Sequence, residues 1–448
     1  MASHRKYDEA GLNYADLQPR DYSSYFLLSN PFPSIPVAEE EPRVFVDRER
    51  EIKSVEYVTK EAFSTGKSQT LLIQGAYGNG KSHVLKYIRS RINAQLARNP
   101  ERKGVAVYVE SPGSSVKDLY AGIVGDLGID LLRNLSYWII ANTTDVSSLK
   151  DYIHDASMRR DFSQLVQEIR NDPTVLGQIL SRRAFRIRDI RYDILKKIGS
   201  SFSFPDVLTA ALSLAEEEIS IVAWRWLLGE PLSRDERSSI GVEREIEESS
   251  DVLRALSSIK RLLGMAGFIM TYVMLDELES ISELHVMKRS AYYNDFRHLI
   301  DQNTEGLCLI ACVTPAGWAL IQSGGIPLAS RLMGNVEDLS PFDQAKSRRL
   351  IEAYLELGHE EFAEAKGISS VSDLNKQISA KYGVSDPKVF PFVEESLRVI
   401  QEIGRGNVRE ILRICKRLID AGCDSHIPVF DKTDVIYGIL DIPAPTSA

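Results

Sequence analysis

The stretch GAYGNGKSH places three glycines (Gly75, Gly78 and Gly80), a lysine (Lys81) and a hydroxyl (Ser82) directly behind the apolar run LLIQ. Those residue types at that spacing suit the binding of a polyphosphate. Glycines let the backbone curl with its N–H groups facing inward, a concavity that side chains would block. The segment fits G-x-x-x-x-G-K-S through Gly75, Gly80, Lys81 and Ser82, with Ala76, Tyr77, Gly78 and Asn79 between. Lys81 offers a mobile charge to the terminal phosphates of ATP and Ser82 a ligand for Mg²⁺. The helix that follows points its positive end at the same anion. His83 falls in its first turn, near the phosphates and without a catalytic part. The plainer alternative is a glycine turn with a surface lysine, and the strand before and helix after speak against it.

Hydrolysis needs a second, acidic site, and VMLDELES supplies one. Asp276 ends an apolar run and can hold the Mg²⁺ shell, while Glu277 can take the proton of an attacking water. The run LCLIACVTP ends at Thr314, a polar tip placed to sense water or γ-phosphate if its strand lies between the other two. Arg331, in GGIPLASRLMGN, suits a finger that reaches a neighbour's nucleotide. Arg409, in the helix start GRGNVREIL, suits a contact with the γ-phosphate of its own chain.

These groups need a scaffold, and the hydrophobic pattern predicts it. VFVDREREIKSVEYVTKEAF has helical spacing after Arg48, and a strand follows at 69–74. A helix from Lys81 or Ser82 and a β-rich run at 104–110 complete a parallel βαβ unit. Strand patterns return at 268–277, 307–315 and 335–340. The expectation is an α/β P-loop NTPase fold, a parallel sheet sandwiched by helices. Residues 1–43 read as an extended, Pro-rich surface strap, 44–114 as the first part of the core and 115–250 as a helical insertion. Residues 251–342 read as the second part of the core, 343–425 as a helical lid and 426–448 as a tail.

The order of P-loop, DE strand, polar-tipped strand, finger arginine and helical lid resembles AAA+ ATPases, on the initiator and clamp-loader side. RVFVDRERE at 43–51 is similar to a box that packs near the adenine in origin-recognition ATPases. The resemblance implies a nucleotide contact for Arg48, and Asp47 stands where the box has glycine. GAYGNGKSH, AWRWLLGEPLSRDERSSIGV, LDELESI with YYNDFRHLID, and CVTPAGW resemble the ATP-binding proteins of BREX-type phage-defence systems and their archaeal relatives. That likeness implies an ATPase, using ATP and Mg²⁺, that works with a DNA-processing partner such as a helicase. Four cysteines, too few and too irregular for a disulfide framework, fit a reducing cytoplasm. Arg331 as a finger requires a homo-oligomer, and DNA is a further candidate ligand. Two alternatives stay open. One is a nucleotide-gated scaffold or loader with little turnover. The other is a replication-initiator relative, against which stands the short stretch after Cys423, too small for a winged helix.

The remaining features are weaker. SRRAFRIRDIRY clusters Arg182, Arg183, Arg186, Arg188 and Arg191 with Phe185 and Tyr192, a pattern that suits phosphate backbones and unstacked bases. A solvated face or a protein interface would carry the same residues. The formal charge of −9 excludes a broadly basic surface for wrapping nucleic acid. Cys308 and Cys312 have a metal-like separation but sit in LCLIACV, where buried small hydrophobes are expected. Trp224 and Trp226 are expected to anchor packing. No apolar run is long enough to span a bilayer.

Overall fold

The computed structural model describes residues 19–33, 42–96, 103–144, 149, 162–180 and 187–440. The chain divides into two compact units, Ala38–Ser340 and Met1–Val37 with Pro341–Ala448.

The first unit is built on five parallel strands, β1 (Gln69–Gly75), β2 (Lys103–Val109), β3 (Phe268–Leu275), β4 (Leu307–Val313) and β5 (Val336–Leu339). Their order in the sheet is β2-β3-β4-β1-β5. Chain order reverses at β1, which pairs with β4 on one side and β5 on the other. Open parallel sheets bind ligands at such a switch, outside the carboxyl ends of the strands. Register brings those ends level: Gly75 pairs with Leu339, Gln74 with Val313, and Leu275 with both Val109 and Ala311.

Both faces of the sheet are covered, which is why its strands read as nearly continuous apolar runs. Alternate residues divide between two cores. Leu71, Ile73, Met274, Ile310 and Cys312 face α1 (Glu49–Thr65) and α2 (Lys81–Leu96). Leu72, Val107, Leu275, Ala311 and Val313 face a larger cluster. Each Leu or Ile fully buried here stabilises by about 1.5–3 kcal/mol. Cys308 and Cys312 are buried free thiols on the α1–α2 side, as their apolar surroundings predicted.

Between β2 and β3 come α3 (Val116–Leu127), α4 (Ile129–Thr143), α5 (Phe162–Asn171), α6 (Val175–Leu180), α7 (Ile187–Ile198), α8 (Pro205–Ser213), α9 (Glu217–Leu227), α10 (Arg234–Ile240) and α11 (Ser249–Met265). Among the described residues, 115–250 is mainly helical, with non-helical connections such as 228–233 and 241–248, and its side chains join the core on one sheet face. Trp226 is buried, and its Nε1 donates to the Arg244 carbonyl (2.9 Å), the packing role expected of it. After β3 the unit adds α12 (Ser280–Glu283), α13 (Val286–Gln302), α14 (Pro315–Gly324) and α15 (Ile326–Leu332).

The second unit comprises α16 (Gln344–Lys366), α17 (Val371–Tyr382), α18 (Glu394–Gly404), α19 (Val408–Ser425) and α20 (Lys432–Leu440). Two expectations are corrected here. The described part of the N-terminal strap, residues 19–33, is not superficial: it includes a short 3-10 turn at Ser23–Tyr25, and Tyr25, Leu27 and Phe32 are buried in this helical unit. Arg20 reaches Asp424 through two nitrogens (2.9 and 2.8 Å), and Asn30 Nδ2 donates to Asp420 (2.7 Å). The predicted tail is likewise integral through α20, with Phe430 and Val435 buried and Phe430 stacked on Phe392. Local composition hid the N-terminal segment, because Tyr25 meets Phe390 and Phe430 only across hundreds of intervening positions.

Candidate functional site

The glycine-rich loop leaves β1 at the sheet's switch point and ends in α2. A Cβ on Gly75 would meet the Leu339 Cβ at 2.9 Å, so β1 and β5 approach too closely there for any side chain. Gly78 and Gly80 take left-handed φ values of 83° and 88°, which L side chains rarely adopt. Asn79, 2% exposed, pins the loop from within: its Nδ2 donates to the Leu339 carbonyl (3.1 Å). Ala76 and Tyr77 are exposed. Lys81 is buried, and its Nζ donates to the carbonyls of Gly75 (2.9 Å) and Ala76 (3.4 Å).

Arg48, for which a nucleotide contact is expected, lies against the phosphate loop. Its guanidinium is buried, with Nη2 donating to the Asn79 carbonyl (2.8 Å) and Nη1 to Glu51 (3.1 Å) and Ser340 O (3.4 Å). It braces the loop from behind. Asp47, at the usual glycine position, takes a left-handed φ of 56°, so the backbone keeps the glycine conformation without the glycine. His83 Nε2 donates to the Val44 carbonyl (2.7 Å), and its ring lies parallel to Phe45, which stacks on Tyr87. His83 thereby joins the 43–51 segment to α2.

Asp276, 2% exposed, sits just past β3. One carboxylate oxygen accepts from the Glu277 N–H (2.9 Å) and the other from the Tyr108 hydroxyl (3.0 Å). Tyr108 thereby ties the end of β2 to the acidic end of β3. Burial, reinforced by the Asp276 charge, raises the Tyr108 phenol well above its usual range. Glu277 is exposed in a left-handed backbone (φ 47°), a strained state for a residue with a Cβ. Desolvation raises its carboxyl above the ordinary value, as do the charges of Asp276, Glu279 and Glu110, and Lys81 opposes them.

Thr314 occupies the end of β4, between the P-loop strand and the acidic strand, as its sensor reading required. Its Oγ1 accepts from Gly317 N (3.2 Å), capping α14, and its own N–H donates to Glu279 (3.2 Å). Tyr108, Glu279 and Glu110 are members of this cluster that the sequence did not single out. The available signal was the YVE that ends the β2 run, but its place beside β3 depends on the sheet order.

Arg331 lies elsewhere. Its backbone carbonyl accepts from Thr70 Oγ1 (3.0 Å), and its exposed guanidinium pairs with Asp301 (2.6 Å). Thr70 begins β1 while Gly75 ends it, a separation of roughly 17 Å at ~3.3 Å per strand residue. Arg331 is therefore remote from the phosphate loop of its own chain. Arg409 sits in the first turn of α19, whose N-cap Asn407 accepts from Glu410 N (3.2 Å), and it belongs to the other unit.

The basic cluster is corrected in part. Arg191 is buried and pairs with Glu216 (3.2 Å) and Ser213, so it is an internal tie rather than a nucleic-acid contact. Arg188 is exposed on the same helix as the exposed Tyr192. Arg182, Arg183 and Arg186 lie outside the described residues. No helix among the described residues is long and apolar enough to cross a membrane.

A parallel sheet of this order, with a glycine-rich phosphate loop at its switch and a carboxylate pair two strands away, defines an AAA+ P-loop protein. The family of BREX system ATP-binding proteins BrxC/D matches residues 187–413, and the chain belongs to it. That match takes in Asp276, Glu277, Arg331 and Arg409, while Gly75–Ser82 lies before it.

Among solved structures, Aeropyrum pernix ORC2 in its ADPNP-ADP complexes is similar at 12% identity, covering 94% of this chain and 72% of that one, with a TM-score of 0.49. The Aeropyrum pernix ORC1 protein in complex with DNA has 12% identity over 90% and 66%, with a TM-score of 0.44. Cdc6p from Pyrobaculum aerophilum has 10% identity over 95% and 72%, with a TM-score of 0.40. No curated protein matches the chain.

Proposed function

We propose that the chain binds ATP with Mg²⁺ and hydrolyses it to drive or regulate a DNA-processing assembly. The observation that carries this reading is the place of the Gly75–Ser82 loop at the carboxyl end of β1 with Asp276 just past β3, at the same end of one parallel sheet. A hydroxyl and a carboxylate are the hard oxygen donors that Mg²⁺ takes. Among the described residues no group of three or more His, Cys, Asp or Glu could hold a metal alone. A cation at Ser82 and Asp276 would thus complete its shell with phosphate and water, the usual habit of Mg²⁺. When bound, the ion offsets the phosphate charge.

The chain's own groups divide the remaining work. N–H groups of the Gly75–Ser82 loop and the Lys81 ammonium hold the triphosphate. Glu277 takes a proton from the attacking water. Thr314, fixed between Glu279 and Gly317, orients that water or the γ-phosphate. The distance of Arg331 from its own loop supports a role in trans, on the nucleotide of a second copy, and so a homo-oligomer. Arg409 is proposed as the contact from the lid.

The family's name supports ATP binding within a BREX system. The likeness in sequence extends the reading to phage defence in the cytoplasm, with a helicase or similar factor as partner. Exposed Arg188 and Tyr192 support direct DNA contact.

Steady-state hydrolysis by the wild type and Glu277→Gln, with ATP affinity measured alongside, tests the reading. Turnover in the wild type and its loss in Glu277→Gln at unchanged affinity are expected. Binding without turnover in either protein would make the chain a nucleotide-gated scaffold, and no binding at all would overturn the reading.

A further inference from the structure

Tyr108 lies one residue before the end of β2, paired with Met274 of β3. Its backbone N–H donates to Asp126 (2.8 Å), which also pairs with Arg89 (2.7 Å). The buried Lys86 lies over its ring, 5.0 Å from the centroid. Backbone, ring and hydroxyl are all held, so the phenol oxygen is a fixed point.

The direction of the hydrogen bonds follows from the inventory of donors. A carboxylate only accepts, so the one phenolic proton goes to Asp276 (3.0 Å). The phenol is thereby a donor that holds one Asp276 oxygen from the β2 side. The second Asp276 oxygen is fixed independently by Glu277 N (2.9 Å).

We propose that Tyr108 is the positioning residue of the metal site: it orients the Asp276 carboxylate, so that this group does not reorganise when a divalent cation and phosphate arrive. The inference rests on the ATP–Mg²⁺ reading above and adds to it the residue that sets cation affinity. Outer-shell partners of this kind govern affinity by about 10- to 100-fold.

Tyr108→Phe removes the hydroxyl and keeps the ring under Lys86. Binding of a fluorescent ATP analogue is titrated with Mg²⁺, and separately with Mn²⁺ followed by its paramagnetic resonance signal. Affinity for the nucleotide is also measured in EDTA. The half-saturating cation concentration is expected to rise about tenfold, with affinity in EDTA unchanged. A wild-type cation titration for the variant overturns the proposal. An equal loss of nucleotide affinity with and without cation overturns it too, since that marks damage to the loop. Thermal unfolding checks the variant, and should Tyr108→Phe not fold, Tyr108→Leu is read by the same two criteria. A wild type whose nucleotide binding ignores both cations would overturn the parent reading and this one together, whereas a wild-type response shared by the variant removes only the role of Tyr108.

Discussion

Arg48 and Asn79 are joined through a buried contact, the guanidinium Nη2 donating to the Asn79 carbonyl at 2.8 Å. That bond ties the start of α1 to the middle of the phosphate loop. Asn79 in turn holds β5 through Leu339, so one buried chain of polar contacts fixes the loop on both sides.

Arg48→Ala removes a cation that compensates the buried Glu51 carboxylate. Breaking a buried pair from one side costs roughly 3–5 kcal/mol, because the remaining charge stays desolvated. Denaturant unfolding should show a loss of that order. ATP affinity should fall beyond what the unfolded fraction accounts for, since the loop carbonyl also loses its donor.

The Glu277 carboxyl titrates above the ordinary range, chiefly through desolvation and then through Asp276, Glu279 and Glu110. A raised carboxylate pKa means that the folded state favours the neutral form, so ionisation there opposes folding at neutral pH. The opposition disappears as pH falls below the unfolded value of about 4.3. Glu277→Gln is therefore expected to be slightly more stable than wild type at pH 7 and equal to it at acid pH, measured by thermal melts across pH. In wild type, the acid limb of hydrolysis should lie above the range of a free glutamate.

Arg331 and Asp301 form an exposed pair, and such pairs contribute about 0–1 kcal/mol. Arg331→Ala should melt like wild type, yet lose turnover by roughly 10³-fold or more if it acts as a finger. Mixing Arg331→Ala with Glu277→Gln should restore part of the activity, because one interface of the mixed assembly then pairs an intact arginine with an intact base. Activity of Arg331→Ala equal to wild type would leave the residue only its surface pair.

His359 is buried in the helical unit, 3.3 Å from the Tyr25 carbonyl, and burial lowers its pKa from 6.5 to about 4. The unfolded chain takes up the proton first as pH falls. Stability contributed by the neutral imidazole is complete above pH 6.5 and is lost down to about pH 4. The loss is of the order of 3 kcal/mol, at ~1.4 kcal/mol per pH unit. Unfolding of His359→Gln should be nearly flat over that window, measured against the sloping wild type.

Tyr25 packs against Phe390 and Phe430 with its hydroxyl on the Ile427 carbonyl. Tyr25→Ala should destabilise the helical unit by about 3–5 kcal/mol, the range of a buried aromatic deletion. Limited proteolysis should then cut in α16 to α20 before it cuts the sheet. Unchanged protection would mean that the strap merely rests on the helices.

Local rules made much of this protein legible. Gly75–Ser82 was readable because phosphate binding demands particular residues at fixed spacing within one turn, and the strand and helix around it follow from periodicity. Asp276, Glu277 and Thr314 were readable because each ends an apolar run. Arg191 misled for the opposite reason: composition marks an arginine as surface, and only the position of Glu216 and Ser213 decides that it is buried.

Sequence alone thus determined the phosphate loop, the acidic strand end and the parallel sheet, since each is encoded within a dozen neighbouring residues. Tertiary structure alone decided that Tyr108 meets Asp276, that Arg48 braces the loop, that Arg331 lies away from the phosphate loop of its own chain, and that Tyr25 and Phe32 belong to the helical core. Each of those contacts pairs residues from distant segments through sheet order or burial, and neither quantity is written in local spacing.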